Sequence, residues 1–223
     1  PSAPDNSLTY WPGTGGTFAE YIQVYLWALY FYEQYGGQPT ILNLVSQPGN
    51  SYLGVQATMT AMGYSTTFQQ MVADWMTANF LDDPTLEGGK YNYAGEDLPN
   101  FAAITRNTYP VPTTNGTAFN CAADYVKFIL GQPQRLNFNG GDAADWSPRV
   151  IKYLGGVPQS VEPITLNSTD DGAIDLPGFG SAYDQVVLVI GNVFLSGNNV
   201  SPAYSYGTEA LAASVDDGIP GGP

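Results

Sequence analysis

The sequence predicts an α+β chain in two parts, an N-terminal all-helical cluster followed by an antiparallel β-sandwich. Three observations predict it. Apolar residues recur at helical spacing through the first 85 residues, with caps and Gly or Pro stops between runs. Near Gly88 the pattern breaks into loop-like stretches rich in Gly, Pro and Asn, "EGGKYNYAGEDLPNF" and "NTYPVPTTNGT". From about residue 117 the period becomes two, with turn sequences between several of the runs. The predicted division is a helical subdomain over 1–87, a linker over 88–116, a β-sandwich over 117–215 and a tail over 216–223.

The first predicted helix, capped by Thr17, runs to about Tyr35 and stops at Gly36-Gly37. Its apolar residues, from Phe18, Tyr21 and Ile22 to Tyr30 and Phe31, lie almost all round it. That pattern predicts a helix internal to the globule. "QPTILNLVS", with Pro39 in its first turn, predicts a second helix. "GVQATMTAMGY" predicts a third, ending at Gly63. A fourth, capped by Ser65, Thr66 or Thr67, carries the stripe Phe68, Met71, Val72, Trp75, Met76 and Phe80, and Pro84 closes it. Candidate strands cover 123–130, 133–138, 147–153, 160–166, 185–194 and 203–212. "YDQVVLVIGNV" is continuously apolar, which predicts a central strand.

Composition narrows the function. Of 223 residues only 12% are charged, and 20 acidic against 6 basic residues give a net charge of -14. Anionic partners such as nucleic acid or acidic membranes are disfavoured by that surface. The low charged fraction, with Asn, Gln, Ser, Thr and Tyr supplying the polar surface, points to a secreted protein. One cysteine, Cys121, excludes an intrachain disulfide, and its apolar context predicts burial. No run of about 18 uninterrupted apolar residues marks a membrane span. No initiator Met or signal peptide is present, and both ends read as linkers. These features predict a piece of a longer protein.

The chain has no histidine. That removes Ser–His and Cys–His nucleophile pairs, imidazole zinc ligation and an imidazole base. Carboxylates remain. Glu20 and Glu33 lie on the first helix, where desolvation would raise a carboxyl pKa, but solvated or paired roles are the alternative. Glu96 and Asp97 extend that list for a carboxylate-based hydrolase. "FLDDP" places Asp82 and Asp83 at a helix C-terminus, against the macrodipole. Lys90, Arg106 or a cation would compensate them, and Glu87 could join a calcium site. "NSTDDGAID" brings Asp170 and Asp171 into a predicted hairpin turn, with calcium as the second reading. Trp146, Tyr204 and Tyr206 are aromatic candidates for carbohydrate stacking, with core packing as the alternative.

"TFAEYIQVYLWALYFYEQYGG", "TFQQMVADWMTANFLDDP" and "GGKYNYAGEDLP" together resemble the region after the zinc site in secreted bacterial His-Glu-x-x-His metallopeptidases of the hyicolysin and immune-inhibitor-A types. In this sequence the matching signature is Asp74, Trp75, Ala78, Asn79, Leu81, Asp82, Asp83 and Pro84. "GFGSAYDQVVLVIGNV" and "YSYGTEAL" are similar to strands of the C-terminal β-sandwich in such proteins. The resemblance implies zinc in a parent protein, held by residues with no counterpart here. It implies a non-catalytic chain whose aromatic helix packs against the metal-binding part, and an accessory β-domain. The expected partner is that missing N-terminal part or, through helix 17–35, a second copy of the chain. The other readings are a carbohydrate- or surface-binding module and the carboxylate-based hydrolase.

Overall fold

A computed structural model describes residues 5–11, 18–98, 101–196 and 198–211. Its N-terminal part holds four helices: α1 (Phe18–Gln34), α2 (Gln38–Ser46), α3 (Ser51–Ala61) and α4 (Phe68–Leu81). A short 3-10 turn, Leu86–Gly88, follows them. Nine strands complete the chain: β1 (Ile104–Arg106), β2 (Thr114–Thr117), β3 (Ala122–Ile129), β4 (Gln134–Gly140), β5 (Arg149–Leu154), β6 (Val157–Pro163), β7 (Asp171–Leu176), β8 (Gln185–Asn192) and β9 (Ala203–Ala210). The fold is therefore α+β, helices first and antiparallel-rich sheets second. The proposed cap Thr17, the end of the last predicted strand at residue 212 and the tail 216–223 lie outside the described residues.

The helix boundaries follow local chemistry. Thr67 caps α4 through a full capping box: its side chain accepts from the Gln70 N–H at 3.1 Å, and Gln70 accepts from the Thr67 N–H at 2.9 Å. The stop after α1 uses two left-handed residues, Gly36 (φ 93°) and Gly37 (φ 69°). A Cβ at Gly36 would also lie 2.9 Å from Thr40 Oγ1, so both conformation and space demand glycine.

The strands form two sheets, ordered β1-β3-β8-β5-β6 and β2-β9-β4-β7. β8 pairs antiparallel with both β3 and β5, at the centre of the larger sheet. Alternation along β3, β5 and β8 divides the core. Tyr125, Ile151, Val187 and Val189 face the helices and pack with Trp75 and Met76. Val126, Phe128, Val150, Leu188 and Ile190 face the smaller sheet and pack with Leu136, Phe138 and Leu176. The order is thus helices, five-stranded sheet, four-stranded sheet. A sheet covered on both faces explains the unbroken apolar run of β8.

Three strands were not legible as such. β1 and β2 are short and lie in the segment read as a linker. β7 starts at Asp171, within the predicted turn region, because its polar residues pair along β4 rather than form the turn. β1 also pairs parallel with β3, a departure from an all-antiparallel sandwich.

The larger correction concerns α1. It is not internal: Phe18, Tyr21 and Tyr25 are 76%, 63% and 52% exposed. The internal helix is α4, in which every residue from Met71 to Asn79 is buried. α4 lies between α1, α3 and β8, so it meets protein on all sides. α1 has α4 and α2 on one side only, and its buried residues are Gln23, Leu26, Tyr30 and Phe31.

Candidate functional site

Three of the acidic candidates, Glu33, Asp82 and Asp83, are held by backbone amides. Glu33 accepts from the Ala94 and Gly95 N–H groups at 2.8 and 2.9 Å, tying the 94–95 loop to α1. Glu20 is partly buried, and its Oε2 has no hydrogen-bond partner among the described residues. Glu96 accepts from the Tyr25 hydroxyl at 2.8 Å on the surface.

Asp82 closes α4 in the left-handed region and accepts from the Tyr93 and Leu98 N–H groups, both at 2.9 Å. Asp83 accepts from the N–H groups of Thr85 (2.7 Å) and Leu86 (3.2 Å) and opens the next turn. Backbone N–H groups therefore compensate this pair, not Lys90 or Arg106. Arg106 instead donates to the Tyr206 hydroxyl, with Nη2 at 2.8 Å. Glu87 lies 3.5 Å from Lys90.

Asp170 sits at the left-handed turn position before β7. Asp171 accepts from Thr169 Oγ1 at 2.9 Å and from the Asn139 side chain. Among the described residues, no three metal-ligating side chains converge on one point. A chain without histidine does not offer the donor set of the zinc site that the resemblance implies upstream.

The aromatic candidates fill the core between the sheets. Trp146, Tyr204 and Tyr206 are 7%, 5% and 2% exposed. Trp146 packs edge-on to Phe138 and Tyr204 at 5.8 and 5.7 Å. Their polar tips are satisfied internally: Trp146 Nε1 donates to Gly141 O at 3.1 Å and Tyr204 donates to Asp124 at 2.7 Å. Cys121 is buried as expected, and burial pushes its thiol up to about 12.

Three features of the surface remain. The first is the exposed aromatic face of α1, which also holds Trp11, packed edge-on against Tyr21 at 4.7 Å. Exposed Leu42, Val45 and Leu53 add apolar surface on α2 and α3. The second is a groove of ≈ 790 Å³ on the outer face of the four-stranded sheet. There Asn139 lies opposite both Ser205 and Asp171, Asn137 lies between Gly207 and Ala173, and Arg135 lies between Glu209 and Asp175. Gly207 and Ala173 leave the middle row low, so the face is concave and polar.

The third feature joins helices to sheet. Asp74 of α4 accepts on one oxygen, Oδ1, from Arg149 Nη1 at 2.5 Å and from Lys90 Nζ at 3.0 Å. Arg149 opens β5, and Lys90 follows the 3-10 turn. Tyr30 of α1 donates to Lys90 O at 2.9 Å. Burial lowers the Lys90 pKa, but the Asp74 carboxylate outweighs it and holds the ammonium above its ordinary value. Sequence reasoning assigned Asp74 only to a signature and never paired it. The available signal was a charged residue inside the α4 apolar stripe, in a chain with few charges to spare.

Neither a protein-family model nor a curated protein matches this chain. Among solved structures it is similar to the pre-peptidase C-terminal domain of a collagenase from Bacillus anthracis, with 9% identity and a TM-score of 0.36 over 50% of this chain and 100% of that one. It is also similar to chitosan-binding module 1 of a chitosanase/glucanase from Paenibacillus sp. IK-5, with 16% identity and a TM-score of 0.26 over 44% and 76% of the two chains. A 4-O-methyl-α-glucuronidase with specificity for decorated arabinogalactans gives 13% identity and a TM-score of 0.24 over 78% of this chain and 27% of that one. Likenesses at these identities say nothing of activity. Among the described residues no helix is long and apolar enough to cross a membrane.

Proposed function

We propose that this chain is a non-catalytic support within a secreted zinc-metallopeptidase-like protein. The helical layer braces a catalytic part that precedes it, and the sandwich is an accessory module. The observation that carries the reading is the aromatic face of α1. Phe18, Tyr21, Ile22 and Tyr25, at helical i, i+3, i+4 and i+7 spacing, form one exposed apolar stripe, and contiguous apolar patches mark contact sites. The absence of histidine supports a supporting rather than a metal-binding role. The amide-bound Glu33 and the tyrosine-bound Glu96 speak against a free carboxylate pair on this face.

The test is titration of the chain with the polypeptide encoded immediately before it. Saturable 1:1 binding, lost on Tyr25→Arg, is the expected result. Zinc-dependent proteolysis by this chain alone, or Tyr25→Arg binding as tightly as the parent, would overturn the reading.

A second reading, a carbohydrate- or surface-binding module, is favoured by the outer groove. With its rings turned inward, such a groove would bind through amides and carboxylates rather than by stacking. Affinity electrophoresis in gels of neutral polysaccharide tests it: retardation lost on Asn137→Ala supports it, and retardation unchanged by that substitution counts against it.

A further inference from the structure

The Asp74 centre lines a cavity of ≈ 580 Å³ between α1, the start of α4 and β5. The bracing role gives it no task. Four observations suggest one.

Positive charge is scarce, with six Lys and Arg in a chain of net charge -14, yet two of the six line this cavity. Three of the others have partners elsewhere: Arg106 on Tyr206, Arg135 with Asp175, and Lys152 with Glu162.

Both cations also converge on a single oxygen of a single carboxylate. One buried negative charge against two positive ones leaves the cavity wall with an excess of one. Glu87 does not line the cavity; it lies exposed, 3.5 Å from Lys90, and accepts from the Tyr91 hydroxyl at 3.4 Å.

Arg149 is nearly buried, but its contacts with Asp74, Thr77 and Tyr91 all run through Nη1. Its Nε–H and Nη2–H donate to no described residue. These two donors form the flat edge of the guanidinium, which matches the two oxygens of a carboxylate. Neither nitrogen is sealed from solvent, so an entering carboxylate would exchange water there for a charge-assisted pair.

The remaining walls suit the body of such a ligand. Tyr30, Tyr35 and Tyr64 line the cavity together with the polar Gln34, Ser65, Thr66 and Gln70. Ring faces for an apolar body beside convergent polar groups suit a small, partly polar ligand.

We propose that this cavity binds a monocarboxylate, with the free edge of Arg149 and the Lys90 ammonium as its contacts and the tyrosines against its apolar part. A doubly charged anion fits less well, because Asp74 and Glu87 would repel its second charge. The site does not depend on what covers α1, so it can stand or fall separately from the bracing role.

The experiment is calorimetric titration of the chain with N-acetyl-tyrosine and, in parallel, with N-acetyl-tyrosine amide. The two differ only in the carboxylate. The acid should bind saturably, and the amide at least ~10-fold more weakly, as expected for loss of a charge-assisted contact. Lys90→Gln, at a part-exposed side chain whose loss leaves Arg149 paired with Asp74, should weaken the acid by ~10-fold. Glu87→Gln should tighten it ~2-fold by removing a repelling surface charge. Equal binding of acid and amide, no saturable binding of the acid, or an affinity indifferent to Lys90→Gln would each overturn the proposal.

Discussion

Helices α1 and α4 pack against each other and begin alike, each on a phenylalanine. Phe18 at the start of α1 is largely exposed, whereas Phe68 at the start of α4 is buried. α1 is apolar on almost every face and meets solvent. α4 carries Asp74, Thr77 and Asn79 and is sealed from it. The difference teaches that position between layers, not apolarity, decides which helix is internal. α4 can be internal because its polar groups are satisfied in place. Thr77 Oγ1 donates to Ala73 O at 2.9 Å, Asn79 accepts from the Tyr93 hydroxyl at 2.5 Å, and Asp74 has its two cations. α1 has no layer on its outer side, so apart from Trp11 on Tyr21 its outward rings meet solvent.

The largest effect expected is at the polar core of α4. Asp74→Asn leaves Arg149 nearly buried without its counter-charge, and removal of one member of a buried pair costs about 3–5 kcal/mol. Urea denaturation should show that loss, while Glu87→Gln, an exposed change, should leave the midpoint close to the parent. A midpoint for Asp74→Asn near that of the parent would mean that α4 does not depend on this ion pair. Phe68→Ala follows. It empties a site packed against Tyr52, with ring centroids 6.0 Å apart. A full Phe truncation costs about 3–5 kcal/mol in a rigid core, and this site near the end of a helix should fall at the lower end.

The same contrast explains what was legible in the sequence. Strand β8 could be placed at the centre because a run without polar alternation fits only a sheet covered on both faces. The α4 cap could be narrowed to three residues, of which Thr67 alone makes the reciprocal pair with Gln70. β7 was hidden because "DGAIDL" has the composition of a turn, and only its pairing with β4 makes it a strand. The ion centre was hidden for a related reason. Asp74, Lys90 and Arg149 are joined by the docking of helix on sheet, and no spacing along the chain encodes that. Asp82 and Asp83 looked like cation ligands because carboxylates at a helix C-terminus need compensation. The amides of the next loop supply it, and backbone donors leave no mark in a sequence.

A smaller effect concerns the segment beside α1. Residues 5–11 lie between α1 and the sandwich. Gln23 donates to Asn6 O at 3.0 Å, Thr9 donates to Ser196 O at 3.1 Å, and Asp5 accepts from the Phe119 N–H at 2.6 Å. Burial pushes the Asp5 carboxyl from its ordinary 3.8 up to about 6; the Phe119 amide pulls it down, and nearby Asp124 adds to the rise. A carboxyl raised on folding favours the folded state when protonated. Its contribution is present in full below 3.8 and is lost as pH rises through about 6. Stability should therefore fall between pH 4 and 7 by a component that Asp5→Asn removes. A carbon-detected titration of Asp5 with its midpoint near 4 would remove the basis for this component.

The smallest effect on folding should come from the mirror of Phe68. Phe18 is three-quarters exposed, so Phe18→Ala removes little buried area and should change stability by no more than about 0.5 kcal/mol. The same substitution should reduce whatever contact the α1 face makes. Sedimentation equilibrium separates the two outcomes. If the chain is a monomer and Phe18→Ala is neutral, the face waits for a different polypeptide, and α1 differs from α4 only in lacking its partner. If the parent self-associates and Phe18→Ala weakens the dimer, the second copy supplies the missing layer. A loss at Phe18 as large as that at Phe68, and independent of protein concentration, would break the comparison, because the ring would then be buried by its own chain.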